Sequence, residues 1–531
     1  MCRRWWIFTA VWLAADAMFE RAVIVLKPGD HVGVTTRALR AGETVAGVDD
    51  ANLTVTADIP RGHKIALTAI DAGGAVKKYG QFIGDAAARI QAGEHVHLHN
   101  LNYRSAGNDY QFCTAQRPTE FVAKDKRATF MGYRRADGRA GTRNFIGVLS
   151  SVNCSATAAH MIAAHFTPDK LAEFPNVDGV TAFVHAGGCG IDEAGEGAAN
   201  LRRVMEGYAR HANLAGALVV GLGCEVNQAD TYAPGQGNGG AKVSLPTRKI
   251  MNIQGCGGLR KTVAAGIRAV EDMLPAANRA KRTPCPASEL TLALQCGGSD
   301  GWSGVTANPA LGHAADLLVR HGGTAVLAET PEVYGAEHLL VSRAADPATA
   351  QKLVERIAWW EDYTARNNGS MNNNPTPGNK RGGLTTILEK SLGAVAKGGS
   401  TNMNGVYRYA EPVTRKGFVL MDTPGYDPAS VTGEIAGGCN LVAFTTGRGS
   451  AFGSKPAPCI KITSNSDIFR RMPEDMDIDA GAILENGATV ASVGEEIFRK
   501  LLAVASGEQS LSEAQGLGDH EFVPWHIGAT M

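Results

Sequence analysis

From residue 144 onward the chain repeats one pattern: an apolar run of strand length, a corner of glycine and polar residues, then a helical stretch. FIGVLSSVNC, GVTAFVHAGGC, GALVVGLGC, KIMNIQGC and LTLALQC are such runs. Between them, GAANLRRVMEGYARHA and RKTVAAGIRAVEDML carry apolar residues at three- and four-residue spacing, the mark of amphipathic helices. Strands alternating with helices predict α/β units with largely parallel sheets. LTLALQC comes after a break, and the second series that it opens continues with GGTAVLAET, GFVLMDTPG, NLVAFTTGRG and PCIKITSNS. The proline- and base-rich stretch AANRAKRTPCPASEL, residues 276–290, divides the two series. We therefore expect one α/β domain over 129–280 and another over 281–531. Residues 18–101 read differently. RAVIVL, the turn PGD, IPRGHKIAL and GEHVHLHNL are short strands between turns, which predicts a small β-rich domain. Polar residues 102–128 form a linker expected to wrap the domain that follows. The irregular segment RNNGSMNNNPTPGNKRGG, 366–383, is a long loop inside a compact region, and such loops are commonly functional. The fold class is multidomain: a small β-rich domain, then two α/β domains.

Composition narrows the function. Lysine plus arginine number 52 and aspartate plus glutamate 52, so the basic excess of a nucleic-acid-binding surface is missing. Glycine supplies 64 of 531 residues, well above a usual ~7%, as many tight strand-to-loop corners require. The ten cysteines contain no CxxC pair, and their number in a chain this long suits a reducing cytoplasm. At the N-terminus, Arg3 and Arg4 precede WWIFTAVWLAA, too short for the ~20 apolar residues of a comfortable membrane span. Residues 1–17 read either as a secretory signal or as an extension upstream of a start at Met18. The main fold is expected to have no membrane association, and a homo-oligomer stays open.

Three constellations could carry chemistry. His95, His97 and His99 alternate, so on a strand their imidazoles share a face while Val96 and Leu98 face the core. That face is either a metal site, with His97 and His99 as ligands, or simply solvated. Cys154, Cys189, Cys224, Cys256 and Cys296 each close a predicted strand. In a parallel sheet those carboxyl ends share the edge where ligands bind. With His185, Glu225, Asn153 and Asn227 they could converge there, although any one cysteine is more simply a small core residue. Basic groups beside glycine come third: Arg139, Arg143, Lys380, Arg381, Lys397 and Arg448 suit carboxylate or polyol recognition, or are solvated charges. No P-loop spacing and no intact GxGxxG occur, so nucleotide binding lacks support.

Longer strings are more specific. GYRRADGRAGTRNFIGVLSSVNCSATAA, VVGLGCEVNQ, LALQCGGSDGWSGVTANPALG, ETPEVYGAEHLL, MNNNPTPGNKRGGLTTILEKSLGAVAKGG, MDTPGYDP and FTTGRGSAFGSKPAP resemble the altronate/galactarate dehydratase family. YGQFIGDAAARIQAGEHVHLHNL is similar to that family's SAF-type β-clip domain. The resemblance spans about residues 20–531. It implies a hydro-lyase acting on a small sugar acid with a divalent metal, Fe(II) or Mn(II). The substrate expected is D-altronate, with 2-dehydro-3-deoxy-D-gluconate as product. Galactarate dehydration, sulfolactate sulfo-lyase activity and a non-catalytic sugar-acid sensor are the alternatives. Residues 1–17 and Cys256 depart from the family pattern. Our residue assignments are His97, His99, Cys154 and Cys189 for the metal. His185 and Glu225 are assigned acid/base roles, and Arg143, Asn144, Lys380 and Arg448 hold the substrate. The site is expected between domains, with the histidine strand facing an α/β sheet edge.

Overall fold

The computed structural model describes residues 21–46, 52–105, 107, 109–233 and 247–531. The extension 1–17 lies outside the described residues. The N-terminal domain is built of short antiparallel strands. One sheet runs in the order Val23–Ile24, Val32–Thr35, Lys64–Ala66, His95–Val96, and a second joins Ala75–Lys78, Gln81–Ala86 and Leu101–Asn102.

Both α/β domains have wholly parallel sheets. In the first, the order is Gly179–Phe183, Phe145–Ser150, Leu214–Gly221, Thr247–Asn252. In the second, seven strands run Met403–Tyr407, Gly417–Met421, Thr324–Leu327, Thr291–Cys296, Leu441–Thr446, Cys459–Thr463, Ile478–Asp479. Thr324–Leu327, Gly417–Met421, Leu441–Thr446 and Cys459–Thr463 are buried along their whole length. Helices cover both faces of such a sheet, which is why these strands read as unbroken apolar runs instead of alternating ones.

Two connections differ from the sequence expectation. The base-rich break between the two α/β domains is itself ordered: its strand Arg282–Pro286 pairs antiparallel with Thr129–Arg134. Its Arg282 guanidinium lies 4.6 Å above the Tyr133 ring, a cation–π contact that a spacer would not make. The linker passes over the C-terminal domain, not the domain next in sequence. The Cys113 and Ala115 amides donate to the Val341 and Ser342 carbonyls, and the Val122 amide to Arg320.

The β domain is pinned to the C-terminal domain by buried charge. Lys64 and Lys78, on two different sheets, converge on Glu389, with Nζ–Oε distances of 2.9 and 2.7 Å. All three side chains are at most 1% exposed. Burial alone would hold a proton on Glu389, but the two ammonium groups reverse this and depress its pKa below the usual 4.5. Burial brings Lys64 down to about 8. The backbones also touch: a Cβ on Gly301 would lie 2.0 Å from the Gly62 carbonyl oxygen, so only glycine fits there.

Replacing Glu389 by glutamine strands two buried ammonium groups, and should lower unfolding free energy by about 3–5 kcal/mol. Because the folded pKa of Glu389 is depressed, its contribution is complete above pH 4.5 and is lost as pH falls below it. Denaturant midpoints measured from pH 7 to 3 should therefore drop more steeply for the wild type than for Glu389→Gln. Parallel pH profiles would refute this role.

Candidate active site at the sheet edge

Cys296 ends the central strand Thr291–Cys296. One neighbouring strand is Thr324–Leu327 and the other is Leu441–Thr446, so the chain leaves the centre first to one side and later to the other. Ligands of open α/β sheets bind at such a switch point, beyond the strands' carboxyl ends. Glu329 and Glu332 follow Thr324–Leu327, Asp427 follows Gly417–Met421, and Arg448 follows Leu441–Thr446. These groups therefore meet although up to 152 residues separate them in the chain.

The Cys296 thiol lies 3.5 Å from Glu329 Oε2 and 3.1 Å from Glu332 Oε2. Lys397 Nζ is 2.7 Å from Cys296 Sγ and 3.2 Å from Glu329 Oε2. Lys390 pairs with Glu332, which also accepts a 2.9 Å hydrogen bond from Asn374 Nδ2. Glu434, bonded by Gln295, completes the acids. Glu329, Glu332, Asp427 and Glu434 thus face only Lys390 and Lys397. Electrostatics resolves the surplus with protons. Burial, and then the charge of Glu332, raises Glu329 to about 8 and Asp427 to about 6, while burial raises Glu434 to about 8. Glu332 itself is held low, because Lys390 and Lys397 outweigh its burial. Glu329 also adopts φ 64°, left-handed backbone for a residue with a Cβ. Such strain, of order 1–3 kcal/mol, concentrates at functional sites.

This donor set fits a divalent cation. Ligand atoms of Cys296, Glu329 and Glu332 all lie within 4.8 Å of one another, and among the described residues no other trio of His, Cys, Asp or Glu does so. Glu329 Oε1 is buried without a hydrogen-bond partner. A dication would replace the protons that the acid surplus now holds. The cluster reaches the surface through Asp427 and Asn374, both half-buried.

The β domain sets a group of imidazoles against the 366–383 segment, which also contributes Asn374 to the cluster. His63 joins His95 and His97, with ring centroids 5.0–5.4 Å apart, and His99 lies tilted 5.5 Å from His95. The expected strand face is only partly realised. The strand stops at Val96, a turn follows in which Asn100 accepts from the His97 amide, and Leu98 is 47% exposed instead of facing the core. The turn still gathers the rings. His97 Nε2 donates to the Lys380 carbonyl at 2.9 Å, and His63 Nε2 to the Arg381 carbonyl at 3.2 Å. A carbonyl only accepts, so both rings carry their proton on Nε2; His63 Nδ1 then accepts from His95 Nε2 at 3.0 Å, and His97 Nδ1 keeps its lone pair. Burial lowers the pKa of all three rings, His63 to about 4, His95 to about 3, and His97 in the same direction. They are neutral at pH 7. The 366–383 segment connects imidazoles and cluster: Asn379 Nδ2 donates to the carbonyl of Ser299, three residues beyond Cys296. Within it, Pro377–Arg381 is a short helix capped by Thr376.

The remaining sequence assignments lie elsewhere. Cys154, Cys189, Cys224 and Cys256 stand at the edge of the first α/β sheet, and Cys296 at the edge of the second, so the five thiols do not converge. The chain switches sheets between Cys256 and Cys296, at the break that the sequence places between the two α/β domains. His185 lies at the first sheet's edge; its Nδ1 accepts from the Gly187 amide, and burial lowers its pKa to about 4. Glu225 closes its own turn, accepting from Ser151 Oγ and the Gly223 amide; these bonds hold its pKa low against burial. Arg143 is buried and forks onto Glu513 at 2.6 and 2.7 Å, with its other donors on the Thr142, Val504 and Glu508 carbonyls. Asn144 bonds the Asn176 and Ala277 carbonyls. Both tie segments together and have no donor to spare for a substrate. Lys380 is half-buried, with its carbonyl on His97, and Arg448 is exposed beside Gly298. Sequence reasoning assigned no role to His63, Glu329, Glu332, Lys390 or Asp427. Lys390 lies within the helix Ile387–Ala394, Asp427 opens the helix Asp427–Gly437, and Glu329 and Glu332 lie at a short 3-10 turn, so no spacing links them and only the resemblance strings containing them gave any signal; His63 lies outside those strings.

Arg143→Lys should accordingly reduce stability by about 1.5–3 kcal/mol, because one ammonium replaces a buried charged fork. KM should not change. A raised KM at unaltered melting temperature would return Arg143 to the substrate site.

Comparison with known proteins agrees with this architecture. Residues 21–104 match the altronate/galactarate dehydratase SAF domain. Residues 132–278 match the second domain of D-galactarate dehydratase/altronate hydrolase, and 287–530 the D-galactarate/altronate dehydratase C-terminal domain. The chain is 36% identical over 485 residues to altronate dehydratase of Escherichia coli (strain K12), covering 91% of this chain and 95% of that protein. Altronate dehydratase of Bacillus subtilis (strain 168) is 34% identical over 489 residues, covering 92% and 96%. Galactarate dehydratase (L-threo-forming) of Escherichia coli (strain K12) is 35% identical over 463 residues, covering 86% and 88%. The chain belongs to the altronate/galactarate dehydratase family of sugar-acid hydro-lyases.

Proposed function

We propose that this protein dehydrates D-altronate to 2-dehydro-3-deoxy-D-gluconate, using Fe(II) or Mn(II). The observation that carries the reading is a cation-fitting cluster at the sheet switch point, joined through the 366–383 segment to the imidazoles of the β domain. The nearly complete overlap with two altronate dehydratases supports altronate over galactarate.

The reaction removes the proton at C2, next to the carboxylate, and expels the C3 hydroxyl; the resulting enol becomes the 2-keto acid. Cys296, Glu329 and Glu332 would hold the metal, which when bound withdraws charge from the carboxylate and steadies the carbanion-like transition state. Lys380, Arg381 and Arg448 supply cations for the carboxylate and hydroxyls. His97 takes the C2 proton at Nδ1, the nitrogen left basic by the Lys380 contact. The approaching substrate anion raises the basicity of this buried ring. The imidazolium formed, destabilised by burial, is a strong acid and gives its proton to the departing hydroxide. In this reading His97 and His99 serve proton transfer and positioning rather than metal binding. Histidine acid–base roles of this kind contribute about 10²–10⁴-fold.

Purified protein loaded anaerobically with Fe(II) or Mn(II) should form 2-keto acid from altronate faster than from galactarate, and should release no sulfite from sulfolactate. His97→Ala should lower kcat by about 10²–10⁴-fold with the metal content of the Cys296 cluster unchanged. Loss of metal on replacing both His97 and His99 would put the ion on the imidazoles. Absence of turnover with all three substrates would leave a sugar-acid sensor.

A further inference from the structure

The first α/β domain carries a second constellation that the dehydration chemistry does not use. Cys154, Cys189 and Cys224 follow three adjacent parallel strands, Phe145–Ser150, Gly179–Phe183 and Leu214–Gly221. All three are exposed, whereas Cys285, Cys296, Cys439 and Cys459 are buried. Free cysteine is among the most buried residue types, so three exposed thiols on one sheet edge need a reason.

Their loops are knitted together. The Asn153 amide donates to the Gly187 carbonyl, and the Asn227 amide to the Gly188 carbonyl, both at 3.0 Å. Asn227 Nδ2 reaches back to the Ser151 carbonyl at 2.9 Å. The Cys189 loop therefore bridges the loops bearing Cys154 and Cys224. Left-handed glycines flank two of the thiols: Gly188 and Gly190 around Cys189, and Gly223 before Cys224. Beside Cys189 lies a cavity of about 520 Å³, walled by His185 and by His526 and Thr530 of the C-terminal tail.

The spacing argues against one shared ion. Thiolates on a single tetrahedral zinc sit ~3.8 Å apart, given a Zn–S bond of ~2.3 Å. The three sulfurs here do not all fall within 4.8 Å of one another. Wider spacing is what an iron–sulfur cluster needs, because each cysteine binds a different iron. We propose that Cys154, Cys189 and Cys224 hold a cubane-type iron–sulfur cluster. Three protein thiolates leave one iron open toward water or a small oxyanion from the cavity. This site is separate from the Cys296 cluster and does not depend on the dehydratase reading.

The full-length protein is purified anaerobically and reconstituted with ferrous iron and sulfide. It should bind iron and acid-labile sulfide in equal amounts, about four each per chain, with brown visible absorption that dithionite bleaches. Cys154→Ser, Cys189→Ser and Cys224→Ser should each lose most of the sulfide and the colour, while Cys256→Ser keeps both. Because a serine variant can misfold, a second measurement uses the wild type. Iodoacetamide should label these three cysteines in the iron-free protein and spare them after reconstitution. Iron without labile sulfide, colourless zinc binding, a disulfide in place of the cluster, or labelling that reconstitution does not change would each overturn the proposal.

Discussion

One carboxylate, Glu389, decides what this molecule can do. It draws Lys64 and Lys78 from two sheets of the β domain into the C-terminal domain, where water is excluded. Coulombic attraction in such a setting is strong, but so is the penalty for a missing partner, so the domains are held in one arrangement. His63 precedes Lys64 in the chain, and Lys64 pairs across the strands with Val96, next to His95 and His97. The ion triad therefore also delivers the imidazoles to the 366–383 segment.

At that edge the fold solves a second electrostatic problem. A parallel sheet brings strand ends together regardless of sequence separation, and here it collects four acids, a thiol and two lysines in a largely buried cluster. Protonation is one way of tolerating that surplus; a divalent ion is the other. The raised pKa of Glu329 and Asp427, the left-handed backbone at Glu329 and its unbonded Oε1 are three expressions of the same tension.

Much of the fold was legible because buried parallel strands and their helices impose a strong pattern. Every apolar run ending in a glycine or polar corner became a strand of one of the two parallel sheets. What the pattern lacked was partnership. The proline- and base-rich break does place LTLALQC in the second α/β domain, but the shared pattern of a cysteine closing each strand hides that Cys296 stands on a different sheet edge from the other four thiols. Arg282–Pro286 looked like a spacer because proline and basic residues are poor strand formers, yet pairing with Thr129–Arg134 overrides that preference. The histidine triplet was visible through its alternation, but His63 came from a distant turn and Leu98 from a strand that ended early. Arg143 shows the opposite failure. Its glycine-rich setting suggested substrate binding, and only the location of Glu513 reveals an arginine spent on holding the C-terminal segment.

The central claim is that the metal lies at the C-terminal domain's switch point, under imidazoles that the β domain supplies. Anomalous diffraction at the manganese edge, from crystals grown with Mn(II) and a sugar acid, tests this most directly. The account predicts an anomalous peak within bonding distance of Cys296, Glu329 and Glu332, with the sugar acid between it and His97. A manganese peak bound by the imidazoles, or sugar acid bound at the edge of the first α/β sheet instead, would contradict it.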